Sequence, residues 1–228
     1  MKLTVLLSLV VFFILLWITH KERSLVIVTS HWKEDLNWLK KSKYPVILID
    51  HEGSDVPAIK PTTIIPNRGN EASSYIRYIL DNWETLPEYV AFIHGHETSH
   101  HQKYKEPLLQ IIDRAQLTPD CYVPLNGMWL GEPAPLSVKK DYYLQIAKYW
   151  HLFEPYLGKI PDQPLFTDAC AQFIVSRNKI TQYPFEAWQK WYEVLMNHTE
   201  LMFVFEYTWH YLFNQPWHMK PKPIRLRS

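Results

Sequence analysis

Three short apolar runs constrain this chain most: Ser-Leu-Val-Ile-Val-Thr at 24–29, Tyr-Pro-Val-Ile-Leu-Ile-Asp at 44–50 and Tyr-Val-Ala-Phe-Ile-His at 89–94. Each is rich in β-branched residues, lacks a polar stripe and ends in polar or titratable groups, so each reads as a buried strand. Between the second and third lies a segment of helical period, residues 71–83. Ile76, Ile79, Leu80 and Trp83 share one face there, and Asn70 stands at the N-cap position. Strand, helix and strand in this rhythm predict an α/β fold, a single domain with a mostly parallel sheet flanked by helices. Further helices are predicted at 105–115, 139–156, 185–197 and 202–213, with a short one near 32–39 and a late strand at 171–176.

Ligands of open parallel sheets bind beyond the carboxyl ends of the strands. Here those ends are Ser30-His31, Asp50-His51 and the segment His94 to His101. That last segment, His94-Gly-His96-Glu97-Thr-Ser-His100-His101, holds four of the chain's 11 histidines. His96-Glu97-x-x-His100 has the HExxH spacing of zinc proteases. Their mechanism needs a helix that places both imidazoles on one face, whereas this motif follows directly on a strand with Gly95 in the turn. His94 and His96, two residues apart, could instead face one ion if the strand continues to them. His100 or His101 would complete the shell, with Glu97 as ligand or base, and imidazoles suit zinc, manganese or iron. The other reading is a polar loop whose histidines bond only to backbone and water.

Composition removes several classes. Lys+Arg number 24 and Asp+Glu 23, so the charge of +1 gives no nucleic-acid footprint. Only 6 Gly stand against 17 Pro, which argues for rigid turns and against Gly-rich phosphate loops. Aromatic residues at 15% fill a core and could line a sugar cleft. Cys121 and Cys170 are too few for a disulfide scaffold; one bridge or two buried thiols both remain open. Residues 3–18 are apolar apart from Thr4 and Ser8. At ~1.5 Å per residue they cover most of a ~30 Å hydrocarbon core. No small-x-small cleavage site follows, so residues 1–20 are expected to be an uncleaved membrane anchor, with a cleaved signal as the alternative. A single-pass arrangement with the domain luminal or extracytoplasmic fits the glycosylation sequon Asn197-His198-Thr199. The domain would span 24–215, followed by a Pro-rich basic tail at 216–228.

Several blocks carry a resemblance. His31-Trp-Lys-Glu-Asp-Leu-Asn-Trp-Leu39, Pro66-Asn-Arg-Gly-Asn-Glu-Ala-Ser-Ser-Tyr75, Leu86-Pro87 with Phe92-Ile-His-Gly-His96, Ala171-Gln-Phe-Ile-Val-Ser-Arg177 and Glu206-Tyr-Thr-Trp-His-Tyr-Leu-Phe213 resemble, in order, blocks of an uncharacterised family catalogued as domain of unknown function 3431. That family name supplies no reaction. A looser resemblance is to GT-A glycosyltransferases, which place Asp-x-Asp at the end of a mid-chain strand to hold a divalent metal and a sugar nucleotide. His94-Gly-His96 stands in that place, and Glu206 stands where those enzymes often carry a late acidic residue. The resemblance implies a nucleotide-sugar donor, a glycan acceptor and a divalent ion, with manganese or zinc as the candidates. A histidine pair suits softer ions than a carboxylate pair does.

Roles follow for individual residues. Glu206, among Tyr207, Trp209 and Tyr211, would be the general base, with Trp209 available to the sugar. Asp35 would accept a hydrogen bond from the donor, or else be a helix-start carboxylate favoured by the macrodipole. Arg68 and Asn67, in the turn before a helix N-terminus, would suit a phosphate. Glu71, in the first helical turn, is a further substrate-binding candidate or else a helix-start acid, and Arg177, after the late strand, could face the same cleft. The functional expectation is a membrane-anchored sugar transferase. The alternatives are a metal-dependent hydrolase built on His94, His96, Glu97 and His100, and a carbohydrate- or partner-binding domain without turnover.

Overall fold

A computed structural model describes residues 24–98, 102, 106–126, 130–131, 141–167 and 171–219. β1 (Leu25–His31), β2 (Val46–His51) and β4 (Tyr89–Ile93) form where the three apolar runs predict strands. With β3 (Thr63–Ile65), β5 (Tyr122–Pro124) and β8 (Phe173–Ser176) they build one six-stranded sheet in the order β3-β2-β1-β4-β8-β5. β3, β2, β1 and β4 run parallel, while β8 is antiparallel to both β4 and β5. The sheet is therefore mixed. A small ribbon pairs β6 (Leu130–Gly131) with β7 (Phe166–Thr167).

The pleat sorts the strand side chains into two cores. Val28, Val90, Phe92, Phe173 and Val175 face a thick helical layer of α1 (Asn70–Asp81), α3 (Asp141–Tyr149), α4 (Glu154–Leu157), α6 (Phe185–Asn197) and α7 (Met202–Leu212). Leu25, Ile27, Leu48, Ala91 and Ile174 face a thinner layer made by a 3-10 turn, Asn37–Lys41, and by α2 (Leu108–Arg114). α5 (Arg177–Ile180) follows β8 directly. The thick layer holds most of the large aromatics. Trp191 stacks on Phe153 at 4.9 Å, and Trp209 lies between Phe205 at 4.8 Å and Phe213 at 5.9 Å.

Local structure departs from the sequence expectations in identifiable ways. The predicted helix over 139–156 is interrupted. α3 ends at Tyr149, a 3-10 turn spans Trp150–Leu152, and Pro155 enters the first turn of α4, where a missing N–H costs least. The predicted turn of helix near 32–39 begins later, at Asn37, because Glu34 and Asp35 spend their carboxylates on the N–H groups of Trp32, Lys33 and Asn37. Gly69, not Asn70, is the N-cap of α1, and both residues have positive φ, +75° and +48°. The anchor at residues 1–20 and the pairing of Cys121 with Cys170 involve positions outside the described residues. Among the described residues, no helix is long and apolar enough to cross a membrane.

A buried histidine closes the far end of α7. His210 is 1% exposed, with Nδ1 2.8 Å from the Thr167 hydroxyl and Nε2 3.3 Å from the Trp217 carbonyl. The network assigns the neutral Nε2–H tautomer, in which Thr167 donates and Trp217 accepts. Burial pushes its pKa down from 6.5 to about 4, with the Trp217 carbonyl pulling it back up. The unfolded chain binds a proton that the folded one refuses. His210 thus adds stability that is complete above pH 6.5 and is lost as pH falls towards 4. The loss is about 3 kcal/mol. Urea unfolding across that window should show it in the wild type, and His210→Gln should flatten it. Equal pH slopes in both proteins would remove His210 as the cause.

Candidate functional site

The strand order reverses between β1 and β4: the chain moves outward from β1 through β2 to β3, then α1 carries it back to β4 on the other side. Such a reversal opens a crevice beyond the carboxyl ends of the flanking strands. The same pleat that sorts the core also sorts the polar residues at this end. Ser30, His51 and His94 continue the phase that faces α1, whereas His31 and Asp50 continue the opposite phase.

On the α1 side, Nε2 of His51 lies 3.0 Å from the hydroxyls of both Ser30 and Ser74, which are 2.9 Å from each other. This buried junction ties β1, β2 and α1 together. Burial lowers the pKa of His51, while Glu71, Asp50 and Glu34 pull it upward. Nε2 of His94 is buried without a hydrogen-bond partner and sits 3.9 Å from Oε1 of Glu71, in the first turn of α1. That separation is too long for a direct hydrogen bond. Burial lowers the pKa of His94, against the pull of Glu71 and with the push of His96, so its imidazole is neutral at pH 7. Glu206 projects into the same neighbourhood from α7. Burial first and the Glu71 carboxylate second raise its pKa from 4.5 to about 7.

The backbone around His94 is held by side chains. Its N–H donates to Oε1 of Gln172 at 3.2 Å, and Gln172 Nε2 donates to Oδ1 of Asn126 at 2.6 Å. Trp38 Nε1–H donates to the Gly95 carbonyl at 3.0 Å. A Cβ on Gly95 would lie 2.8 Å from Cβ of Glu34, so only glycine lets the β4 turn approach the loop after β1 this closely. Burial pushes the pKa of Glu34 up, but the N–H groups of Trp32 and Lys33 and the nearby His96 outweigh it, and the net shift is downward.

On the other side, His31 Nδ1 meets Oδ1 of Asp50 at 2.8 Å, and the Ser54 hydroxyl donates to the same oxygen at 2.6 Å. Further out, Asp35, Asn37, Trp38, Lys41, His96, Glu97 and Thr98 line an open depression of about 410 Å³. Asp35 is exposed there, and its Oδ1 accepts from the backbone and side-chain N–H groups of Asn37 at 2.9 and 2.7 Å.

The structure thus brings Glu71, His94 and Glu206 into one group, and Asp35, His96 and Glu97 into another. His94 turns to Glu71 while His96 is exposed in the outer depression, so the two imidazoles do not face a common point. Among the described residues, no three His, Cys, Asp or Glu side chains are arranged to hold an ion, and His100 lies outside them. Asn67 is exposed on the turn before α1. Arg68 is exposed too, but its guanidinium donates to the Met196 carbonyl at 2.9 Å, at the C-terminal end of α6 where a cation is favoured.

Two expected site residues are elsewhere. Arg177 follows β8, which runs antiparallel, so its end lies beside the start of β4. Its Nε–H faces the Pro87 carbonyl at 3.4 Å, at the opposite end of the strands from the crevice. Trp209 is 2% exposed and packed among Tyr75, Phe173, Phe205 and Phe213; it is a core residue and cannot stack on a sugar. Sequence reading did not pick out Ser74, Gln172 or Asn126, since a small or amide side chain in a helix or loop carries no pattern. Ser30 and His51 were visible only as polar strand ends.

Fold and site together define an α/β protein whose acidic and imidazole groups gather where its parallel strands end and their order reverses. The chain belongs to the family described as Protein of unknown function (DUF3431), which it matches over residues 26–224. No curated protein and no solved structure matches it.

Proposed function

We propose that this chain is a glycosyltransferase-like enzyme, anchored by residues 1–20, that moves a sugar from a nucleotide donor to a hydroxyl of a glycan acceptor. The observation that carries the reading is Glu206: a carboxylate with a pKa of about 7, raised in part by Glu71, whose own carboxylate lies 3.9 Å from the partnerless Nε2 of His94 at the strand-order reversal. A base poised near the working pH combines a populated carboxylate with useful proton affinity. Glu206 takes the proton of the acceptor hydroxyl as its oxygen bonds to the anomeric carbon. The bond from that carbon to the diphosphate oxygen breaks, and the nucleoside diphosphate leaves with the electron pair. The 3.9 Å between His94 and Glu71 admits one sugar hydroxyl, donating to the imidazole or to the carboxylate. Asp35 and Glu97, in the outer depression, are placed to meet hydroxyls of the donor, and the exposed Asn67 turn is available to its phosphates. The described residues do not form a shell for the manganese or zinc expected from the sequence, and no step here passes through an ion.

The test is thermal unfolding of the full chain with a panel of nucleoside diphosphate sugars, with and without manganese, together with assay of released nucleoside diphosphate. One donor is expected to raise the midpoint, since a ligand at about 100 times its Kd adds about 2.7 kcal/mol. If no donor shifts the midpoint and none releases nucleotide with any acceptor, the transferase reading fails.

A further inference from the structure

A second cleft lies away from the strand ends, at the C-terminal end of α7. Tyr156, Leu157, Tyr211, Asn214, Gln215 and Pro216 line it, with a volume of about 450 Å³. Leu212, which ends α7, accepts hydrogen bonds from Gln182 and Tyr183, just beyond the helix that follows β8. This places the cleft toward the Arg177 side of the sheet and apart from the Glu206 group.

We infer that this cleft is a binding site for a neutral saccharide, separate from the proposed reaction centre. The two tyrosine rings are fixed from behind before any ligand arrives. Tyr156 is 43% exposed, yet it packs edge-on against Tyr183 and Trp191, both at 5.7 Å. Tyr211 packs edge-on against Trp217 at 5.2 Å and tilts against Trp150 at 6.0 Å. Rigid aromatic faces bind the C–H face of a pyranose with little loss of side-chain freedom.

The polar lining narrows the ligand further. Asn214 holds a left-handed conformation, φ +60°, and its Nδ2 donates to Oε1 of Gln182 at 2.7 Å. Nε2 of Gln215 donates to the Phe213 carbonyl at 3.3 Å. Each amide gives one N–H to the protein and keeps its second N–H and its carbonyl oxygen to offer. Amides that offer a donor beside an acceptor match hydroxyl groups, which both donate and accept. Among the described residues no charged side chain lines the cleft, and its volume is within the range of small-molecule sites. A ligand with one apolar face and several hydroxyls, carrying no charge, is a neutral sugar unit of an oligosaccharide. The inference does not depend on turnover, so it can stand if the transferase reading falls.

The test uses tryptophan fluorescence of the full chain, because Trp150, Trp191 and Trp217 lie behind the two tyrosines. The chain is titrated with neutral trisaccharides of glucose, mannose and galactose, and with a sialylated trisaccharide as the anionic control. A neutral trisaccharide is expected to bind saturably, with Kd raised about tenfold by Tyr156→Ala and by Gln215→Ala and unchanged by Glu206→Gln. Gln215→Ala touches no core packing, so it remains informative should Tyr156→Ala fail to fold. Absence of saturable binding by every neutral trisaccharide overturns the inference. So does binding that both cleft variants leave intact and Glu206→Gln abolishes, which would assign the sugar to the strand-end crevice.

Discussion

Glu206→Gln is expected to stop turnover and to make the protein more stable above neutral pH. In the folded chain the Glu206 carboxyl holds its proton to about pH 7, against an ordinary 4.5. The folded state binds that proton more tightly than the unfolded state does. The stabilisation is complete below pH 4.5 and is lost as pH rises through about 7. At about pH 8 the ionised carboxylate sits in a half-buried place under the influence of Glu71, at a cost of about 3 kcal/mol, and glutamine removes that cost. The unfolding free energy of Glu206→Gln should therefore exceed that of wild type at about pH 8 and match it near pH 4.5. Nucleotide release should fall by about 10²–10⁴ with donor binding retained, as for removal of a general base. Wild-type activity should rise with pH through about 7. A Gln variant that is no more stable at alkaline pH would show that the carboxylate is solvated after all. One that is more stable but fully active would keep the electrostatics and remove Glu206 from the chemistry. A charge that destabilises its own fold is the usual mark of a working site.

Gly69→Ala should be the most damaging single methyl group in the described structure. Gly69 has φ +75°, and a Cβ there would lie 2.8 Å from Cγ of Leu195 and 3.0 Å from both its methyl carbons. The left-handed backbone costs an alanine about 1–2 kcal/mol. Overpacking against a fully buried leucine of α6 adds about 1–3 kcal/mol. A drop of about 2–5 kcal/mol in unfolding free energy at unchanged urea m-value is expected. Leu195→Ala in the same background should be far less harmful than in wild type, since it removes the clash it would otherwise lose packing to avoid. A cost below about 0.5 kcal/mol for Gly69→Ala would mean that α1 can shift away from α6 freely. Glu71 stands two residues further on, so donor affinity should fall with stability if the turn also aims that carboxylate.

The four longer strands and the helices α1, α6 and α7 were legible because apolar runs and helical periods extend over enough residues to be read. β3 and β5 have three residues each, and β6 and β7 have two, too few for any period; they exist by pairing with strands distant in sequence. Glu71, His94 and Glu206 were legible as titratable groups at strand ends or on a late helix, but their meeting was not. It depends on α1 crossing back over β1 and on α7 packing against α1, which no local pattern records. Arg177 was misplaced because a four-residue strand does not announce its direction. Trp209 was misplaced because α7 is buried on nearly all sides, with Val204, Phe205, Thr208, Trp209 and Leu212 all inside, so no amphipathic stripe separates a ligand face from a core face.

The alternation of side chains along β4 makes the chain intolerant of length changes there. Phe92 and His94 share a phase that looks toward α1, and Ile93 takes the other. Adding one residue upstream within β4 would exchange the phases, so that the imidazole would swing to the Trp38 side and Ile93 would meet Glu71; deleting one would also swing the imidazole across and leave Gly95 opposite Glu71. Substitutions at these positions change one contact, but a single-codon insertion or deletion would invert the chemistry of both sides at once. Length variation is therefore expected to accumulate in the connections, such as the stretch from 52 to 62, and to be absent between Tyr89 and His94.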